Sequence, residues 1–211
     1  MRKNRGRSLT RWLATALIML VSGLVALTSL SCSALKWMPQ EEGLHPRLTR
    51  FGYLEEGKLV SLLVDTEATR RREGDSVVPF GIGVANIGLR RLTLTRESFT
   101  LIDDQGQRYA MVSVREARSG TSTMSYDRRL SRAFIGAFTG RFDAWPQQRA
   151  DFFPEPGGST VTDRVELFPR SWTVDILYFP HPEGDLVGRR YEMWLDTEEL
   201  EEPVFVKFAV K

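Results

Sequence analysis

Cysteine is almost absent: one residue, Cys32, in a chain of 211. Disulfide frameworks are therefore excluded, and with only two histidines, His45 and His181, so are the usual zinc-ligand spacings. Acidic residues are missing from the first 32 positions. There is no Gly-x-Ser-x-Gly elbow, no internal repeat and no βαβ alternation. No metal, cofactor or catalytic residue is predicted. What is present is an unusual beginning and a long remainder patterned as β-strands.

Arg2, Lys3, Arg5, Arg7 and Arg11 precede an uncharged run from Trp12 to Leu30, with small residues before Cys32. A basic front, an apolar middle and a small-residue end form an export signal. As a helix, the run would span about 28 Å at 1.5 Å per residue, close to the hydrocarbon thickness of a bilayer. It can thus serve as a cleaved signal or as a single membrane span. In both cases the basic front stays cytoplasmic and the remainder crosses. Removing the five basic residues of this leader leaves 24 basic against 27 acidic residues. The pI of about 8.8 is a property of the leader, and no nucleic-acid partner is predicted.

The segment Leu27-Thr28-Ser29-Leu30-Ser31-Cys32 resembles the lipobox of bacterial lipoproteins. Ser31 is the small residue expected before the cysteine, and Ser29 stands where that family usually has leucine. The resemblance implies a signal peptide over residues 1–31 and lipid attachment at Cys32, which is diacylated, becomes the N-terminus and is then N-acylated. Two or three chains anchor durably, at about 0.8 kcal/mol per buried methylene. Ser33, rather than aspartate, implies the periplasmic face of the outer membrane, with the inner membrane as the alternative. Residues 32–50 read as lipid attachment and tether, where Trp37 suits a lipid interface.

From residue 51 to 211, short runs with period two alternate with turns. Strands are expected over Lys58–Thr66, Val77–Ile87, Leu92–Thr95, Ser98–Ile102, Tyr109–Val114, Ser159–Phe168, Trp172–Phe179, Leu186–Leu195 and Val204–Val210. Thr69–Asp75 reads as a charged turn and Asp103-Asp104-Gln105-Gly106 as a hairpin turn. An insertion at about 115–158 interrupts this rhythm, with Arg115–Thr123 expected as a loop. Leu130, Ala133, Phe134, Ala137 and Phe138 then predict one amphipathic helix, with Asp127 as N-cap and Gly140 as C′ residue. The fold class expected is mainly β: an antiparallel sandwich with a helical insertion, preceded by an N-terminal hydrophobic signal helix.

The stretch Asp75 to Gly88, then Leu92-Thr-Leu and Phe99 to Tyr109, resembles the immunoglobulin-like modules of small exported bacterial lipoproteins, with their "V-x-V-x-N-x-G" and "F-x-L-x-D-x-x-G-x-x-Y" strands. That resemblance implies a binding or scaffolding role and supplies no catalytic residue. Gly81-Ile-Gly83 half-matches a dinucleotide loop but lacks the third glycine, so close sheet packing or a bulge is expected at these glycines. Asp103 and Asp104 form a tight turn rather than a calcium loop. Glu198, Glu199, Glu201 and Glu202 read as a solvated connector. A triad through His45 or His181, or a glycan-cleaving carboxylate pair, would make the protein an envelope hydrolase; a retained span would make it a subunit of a membrane complex. The favoured surface for an envelope partner is the insertion, through Phe134, Phe138, Phe142 and Trp145 flanked by Arg128 and Arg132. Otherwise these aromatics form a satellite core.

Overall fold

A computed structural model describes residues 49–121, 123–154 and 160–211, all within one compact unit, Glu42–Lys211. The signal peptide, Cys32, Trp37, His45 and nearly all of the tether lie outside the described residues. Ten strands occur among those described: β1 (Gly52–Glu56), β2 (Val60–Asp65), β3 (Val77–Asn86), β4 (Leu92–Thr95), β5 (Phe99–Asp103), β6 (Arg108–Ala110), β7 (Arg164–Leu167), β8 (Ser171–Pro180), β9 (Arg190–Leu195) and β10 (Val204–Ala209). One antiparallel sheet has the order β1-β2-β3-β8, a second the order β10-β9-β5-β6, and β4 and β7 pair as a separate ribbon.

Alternation explains the layering. In β9, Tyr191, Met193 and Leu195 are buried, and in β10 Val206 and Phe208 are buried while Phe205 and Lys207 are exposed. Strand β3 is buried along its whole length. Its Val78, Phe80, Ile82 and Val84 join the main core with residues of the second sheet. Phe80 meets Phe208 edge-on at 5.5 Å and Tyr53 lies 6.0 Å from the same ring, so Phe208 ties the two sheets together.

Asn86, at the end of β3, is fully buried and acts as a hub. Its side-chain amide donates to Leu89 O (3.0 Å) and Leu167 O (2.9 Å), its Oδ1 accepts from Leu89 N, and its carbonyl accepts from Arg170 N. One polar side chain thereby satisfies backbone groups of two turns at this end of the domain. This is the structural work of the asparagine in the Val84-Ala-Asn86-Ile-Gly88 segment.

Three helices interrupt the strands: α1 (Val114–Gly120), α2 (Met124–Leu130) and α3 (Arg132–Arg141). The loop expected at Arg115–Thr123 is instead α1. Ser113 accepts from Glu116 N while Glu116 accepts from Ser113 N, a capping box that makes the short helix. The return strand of the hairpin stops at Ala110, earlier than expected, because Val112 N leaves to donate to Tyr178 O of β8. The single helix expected downstream is two, with Ser131 between them. Asp127 is no N-cap, since its carboxylate is turned inward. Gly140 lies inside α3, which continues because Phe142 N bonds Phe138 O and Thr139 O. The Thr69–Arg71 part of the charged turn is a 3₁₀ turn, and Arg72 folds into the interior.

The outer edge of β8 is covered rather than left open. Besides Val112, Gln148 N donates to Trp172 O and Trp172 N to Pro146 O. Edge groups satisfied in this way offer no template to another chain.

Candidate functional site

The insertion aromatics were the favoured contact surface, and the structure turns them inward. Phe134 and Phe138 are 1% and 0% exposed, Phe142 is buried and Trp145 half-buried. They form a second core with Leu54, Leu63, Ala85 and Trp172 on the outer face of the first sheet. The reason lies in β3: a Cβ on Gly81 would stand 3.1 Å from the Phe134 ring, and one on Gly83 would stand 2.9 Å from Phe138. The two glycines leave a trough in the sheet that the phenylalanines fill, as close packing at these positions requires. Phe138 also meets Phe142 at 4.9 Å and Trp172 at 5.5 Å, and Trp172 Nε1 donates to Phe142 O and Trp145 O, both at 3.1 Å. The inward stripe is Phe134-Phe138-Phe142, spaced by four; Leu130 is only half-buried and Ala133 is exposed.

Of the two cations expected to flank an open patch, Arg128 is engaged within the protein and Arg132 remains exposed. Arg128 donates to Phe153 O (3.0 Å) and pairs with Asp151 and Asp175 at 3.4 and 3.6 Å. Arg141 pairs with Glu56, and Arg132 is exposed. Beside Arg128, Asp127 accepts from the Arg72 guanidinium and from the Tyr178 hydroxyl (2.9 Å), fixing α2 to β8. Burial pushes the Asp127 carboxyl above its ordinary range, partly offset by Arg72 and Tyr178. Asp127 and Asp175 are both matched by charge and hydrogen bonds inside the protein, and this arrangement holds the insertion down.

Two carboxyls carry larger shifts. Burial raises Asp65 to about 7, opposed by hydrogen bonds from Glu67 N and Thr49 Oγ1. Burial likewise raises Asp175 to about 7, opposed by Arg128 and the amides of Phe152 and Ile176. Between about pH 4 and about pH 7 the folded chain keeps protons that the unfolded chain has released, so stability falls as pH rises through that window. The slope is at most about 1.4 kcal/mol per pH unit for each carboxyl. Asp65→Asn preserves both hydrogen bonds, since its amide can donate to Thr49. The gap between urea midpoints at pH 5 and pH 8 should therefore narrow in the variant to the part that Asp175 contributes, with a gain over the wild type at pH 8; an unchanged gap would remove Asp65 as a cause.

The remaining candidates resolve into structural roles. Asp103 accepts from Gln105 N, Gln107 N (both 2.9 Å) and the Tyr109 hydroxyl (3.0 Å), and Arg189 lies 3.5 Å away. Burial would raise this carboxyl, but those partners hold it below the usual range, and Gly106 at φ 82° completes the turn. His181 donates its backbone N–H to Ser76 O, and its Nδ1 sits 2.6 Å from Pro182 O. Glu199 accepts from Thr93 Oγ1 (2.6 Å), while Glu198, Glu201 and Glu202 are exposed. Among the described residues no three metal-ligating side chains come together, and no helix is long and apolar enough to cross a membrane.

The large exposed apolar residues are Leu59, Phe168, Val187 and Phe205. Phe205 belongs to an organised surface that sequence reasoning missed. On the outer face of the second sheet the register aligns Phe205, Trp194, Thr100 and Ala110 in one row, and Lys207, Glu192, Ile102 and Arg108 in the next. Trp194 and Phe205 stack at 5.0 Å and 15°. Arg108 lies 5.7 Å from the Trp194 ring and Lys207 5.7 Å from Phe205. Trp194 Nε1 donates to Glu192 (2.8 Å), which also faces Lys207 at 3.6 Å. The available signal was the alternation of β10, whose outward positions carry a phenylalanine and a lysine.

No protein-family model matches this chain, and no curated protein matches it. Among solved structures, YcdA of Bacillus subtilis, a proposed lipoprotein, aligns over 74% of this chain and 38% of its own, at 13% identity and a TM-score of 0.37. The chain thus spans well under half the length of that protein, and a likeness at this level carries no inference about role.

Proposed function

We propose that the protein is an exported lipoprotein, held to a membrane by lipid on Cys32, whose periplasmic β-domain is a non-enzymatic binding or scaffolding module. One observation carries the reading: the only cysteine follows Ser31 at the end of a basic-then-apolar leader, and the domain beyond it, with no further cysteine, is held by packing alone. An immunoglobulin-type sandwich is supported by strand order. In β2-β3-β8 facing β10-β9-β5-β6, the chain follows the A-B-E and G-F-C-C′ succession of that fold, with the helices entering after C′. The non-enzymatic part of the reading rests on the buried acids Asp127 and Asp175, which are engaged with arginines, a tyrosine and backbone amides.

The test is metabolic labelling with a tagged fatty acid in cells expressing wild type or Cys32→Ala. Label and a faster-migrating mature form, both lost in the variant, are expected. An unlabelled, uncleaved chain retained in the membrane would overturn the lipid anchor and make residues 12–30 a span.

A further inference from the structure

The two outer faces of the domain differ. That of the first sheet is covered by α3 and its phenylalanines; on that of the second, Phe205, Lys207, Arg108 and Ala110 are exposed. The bare face holds the Trp194–Phe205 stack with half-buried Ile102 and Thr100 beside it. Within its strands the charges are Arg108, Lys207 and Arg190 against Glu192, with exposed Asp196 following at one end of β9. The chain beyond the leader has 24 basic and 27 acidic residues, so this face is a positive area on a negative domain. Arg108 and Arg190 have no carboxylate partner among the described residues.

From this we infer that the β6-β5-β9-β10 face lies against the anionic phospholipid headgroups of the membrane that holds the lipid anchor. The inference rests on the anchoring reading above and adds an orientation to it. Aromatic side chains with one polar handle suit the interfacial zone, and lysine and arginine beside them match headgroup phosphates. Tyr53 of β1 donates to Ala209 O of β10 (2.8 Å), so the first described strand is fixed to a strand of the second sheet. The 16 residues between Cys32 and Thr49 can reach at most about 55 Å, which keeps the face at high effective concentration near the bilayer. Each contact is individually weak; the anchor makes them count.

The experiment uses the full chain, matured in a host that processes lipoproteins and reconstituted into vesicles. Ala110→Cys, exposed on the face, is labelled with an environment-sensitive dye; Gly136→Cys, exposed on α3 with open space around it, is the reference site. The unmutated protein reports the anchor separately, because an acylated Cys32 takes no dye and a free one does. In phosphatidylcholine vesicles containing phosphatidylglycerol, quenching of the Ala110→Cys dye by aqueous acrylamide should fall severalfold. High salt should reverse this, as should the added substitutions Arg108→Glu and Lys207→Glu, with the Gly136→Cys dye unaffected. Equal quenching at the two sites, or protection that is the same in pure phosphatidylcholine, would overturn the inference. So would protection that grows with protein concentration without vesicles, which would assign the face to a second copy of the chain. Protection obtained only on adding an acidic protein would do the same.

Discussion

Phe138→Ala is expected to lower the unfolding free energy by about 3–5 kcal/mol, the range for emptying a well-packed aromatic site. The ring is fully buried between Gly83, Phe142 and Trp172. Gly83→Ala alone should also destabilise, by roughly 1–3 kcal/mol, since its methyl would stand 2.9 Å from that ring. Together the two should cost clearly less than their sum, because the methyl introduced at position 83 enters the space vacated by Phe138. Urea unfolding of both single variants and the double variant measures the coupling directly. Additive costs would mean that the trough of β3 and the phenylalanine are not complementary parts. A mere loss of partner capture at unchanged stability would return the stripe to the role of an interface.

The second large effect concerns the buried pair of Arg72 and Asp127. Asp127→Ala leaves the Arg72 guanidinium, with its side chain 8% exposed, and the Tyr178 hydroxyl without their acceptor. A cost of about 3–5 kcal/mol is expected, mostly the penalty of a buried charge left with only Asp75, 3.6 Å from Arg72 Nε, beside it. Arg72→Met in the same chain should recover a large part of it, as replacing both members of a buried pair is far cheaper than removing one. Thermal unfolding of the two variants separates the cases: failure of the second substitution to restore stability would show that Asp127 acts through Tyr178 alone. Neither residue faces solvent, and the pair fixes α2 to the domain.

The strands were legible because their signal is local. Alternation in β9 and β10 and the Asp103–Gly106 turn read correctly from neighbouring residues, and the glycines of β3 announced close packing. The insertion was less legible because its logic is distant in sequence. Nothing near Asp127 indicates that Arg72, 55 positions earlier, will take its carboxylate from the helix start. The trough that swallows Phe134 and Phe138 is likewise written in Gly81 and Gly83. Helix α1 could have been found, since Ser113 followed by Glu116 is a capping box, but a polar seven-residue helix has no apolar stripe to advertise it. The bare face was hidden for the opposite reason. An outward Trp194 or Phe205 looks ordinary until register puts the two rings side by side and a cation beside each.

The ladder between β3 and β8 also sets when the domain can form. Asn86 pairs with Ser171, 85 positions on, and Val77 with Pro180, 103 positions on. As the chain lengthens from its N-terminus, β1, β2 and β3 form a meander whose β3 edge stays unsatisfied until β8 has followed. Closing so long a loop costs entropy that local contacts do not offset, and non-local pairing of this kind slows folding. The first sheet is therefore complete only after the helical insertion has been made and β8 returns to β3.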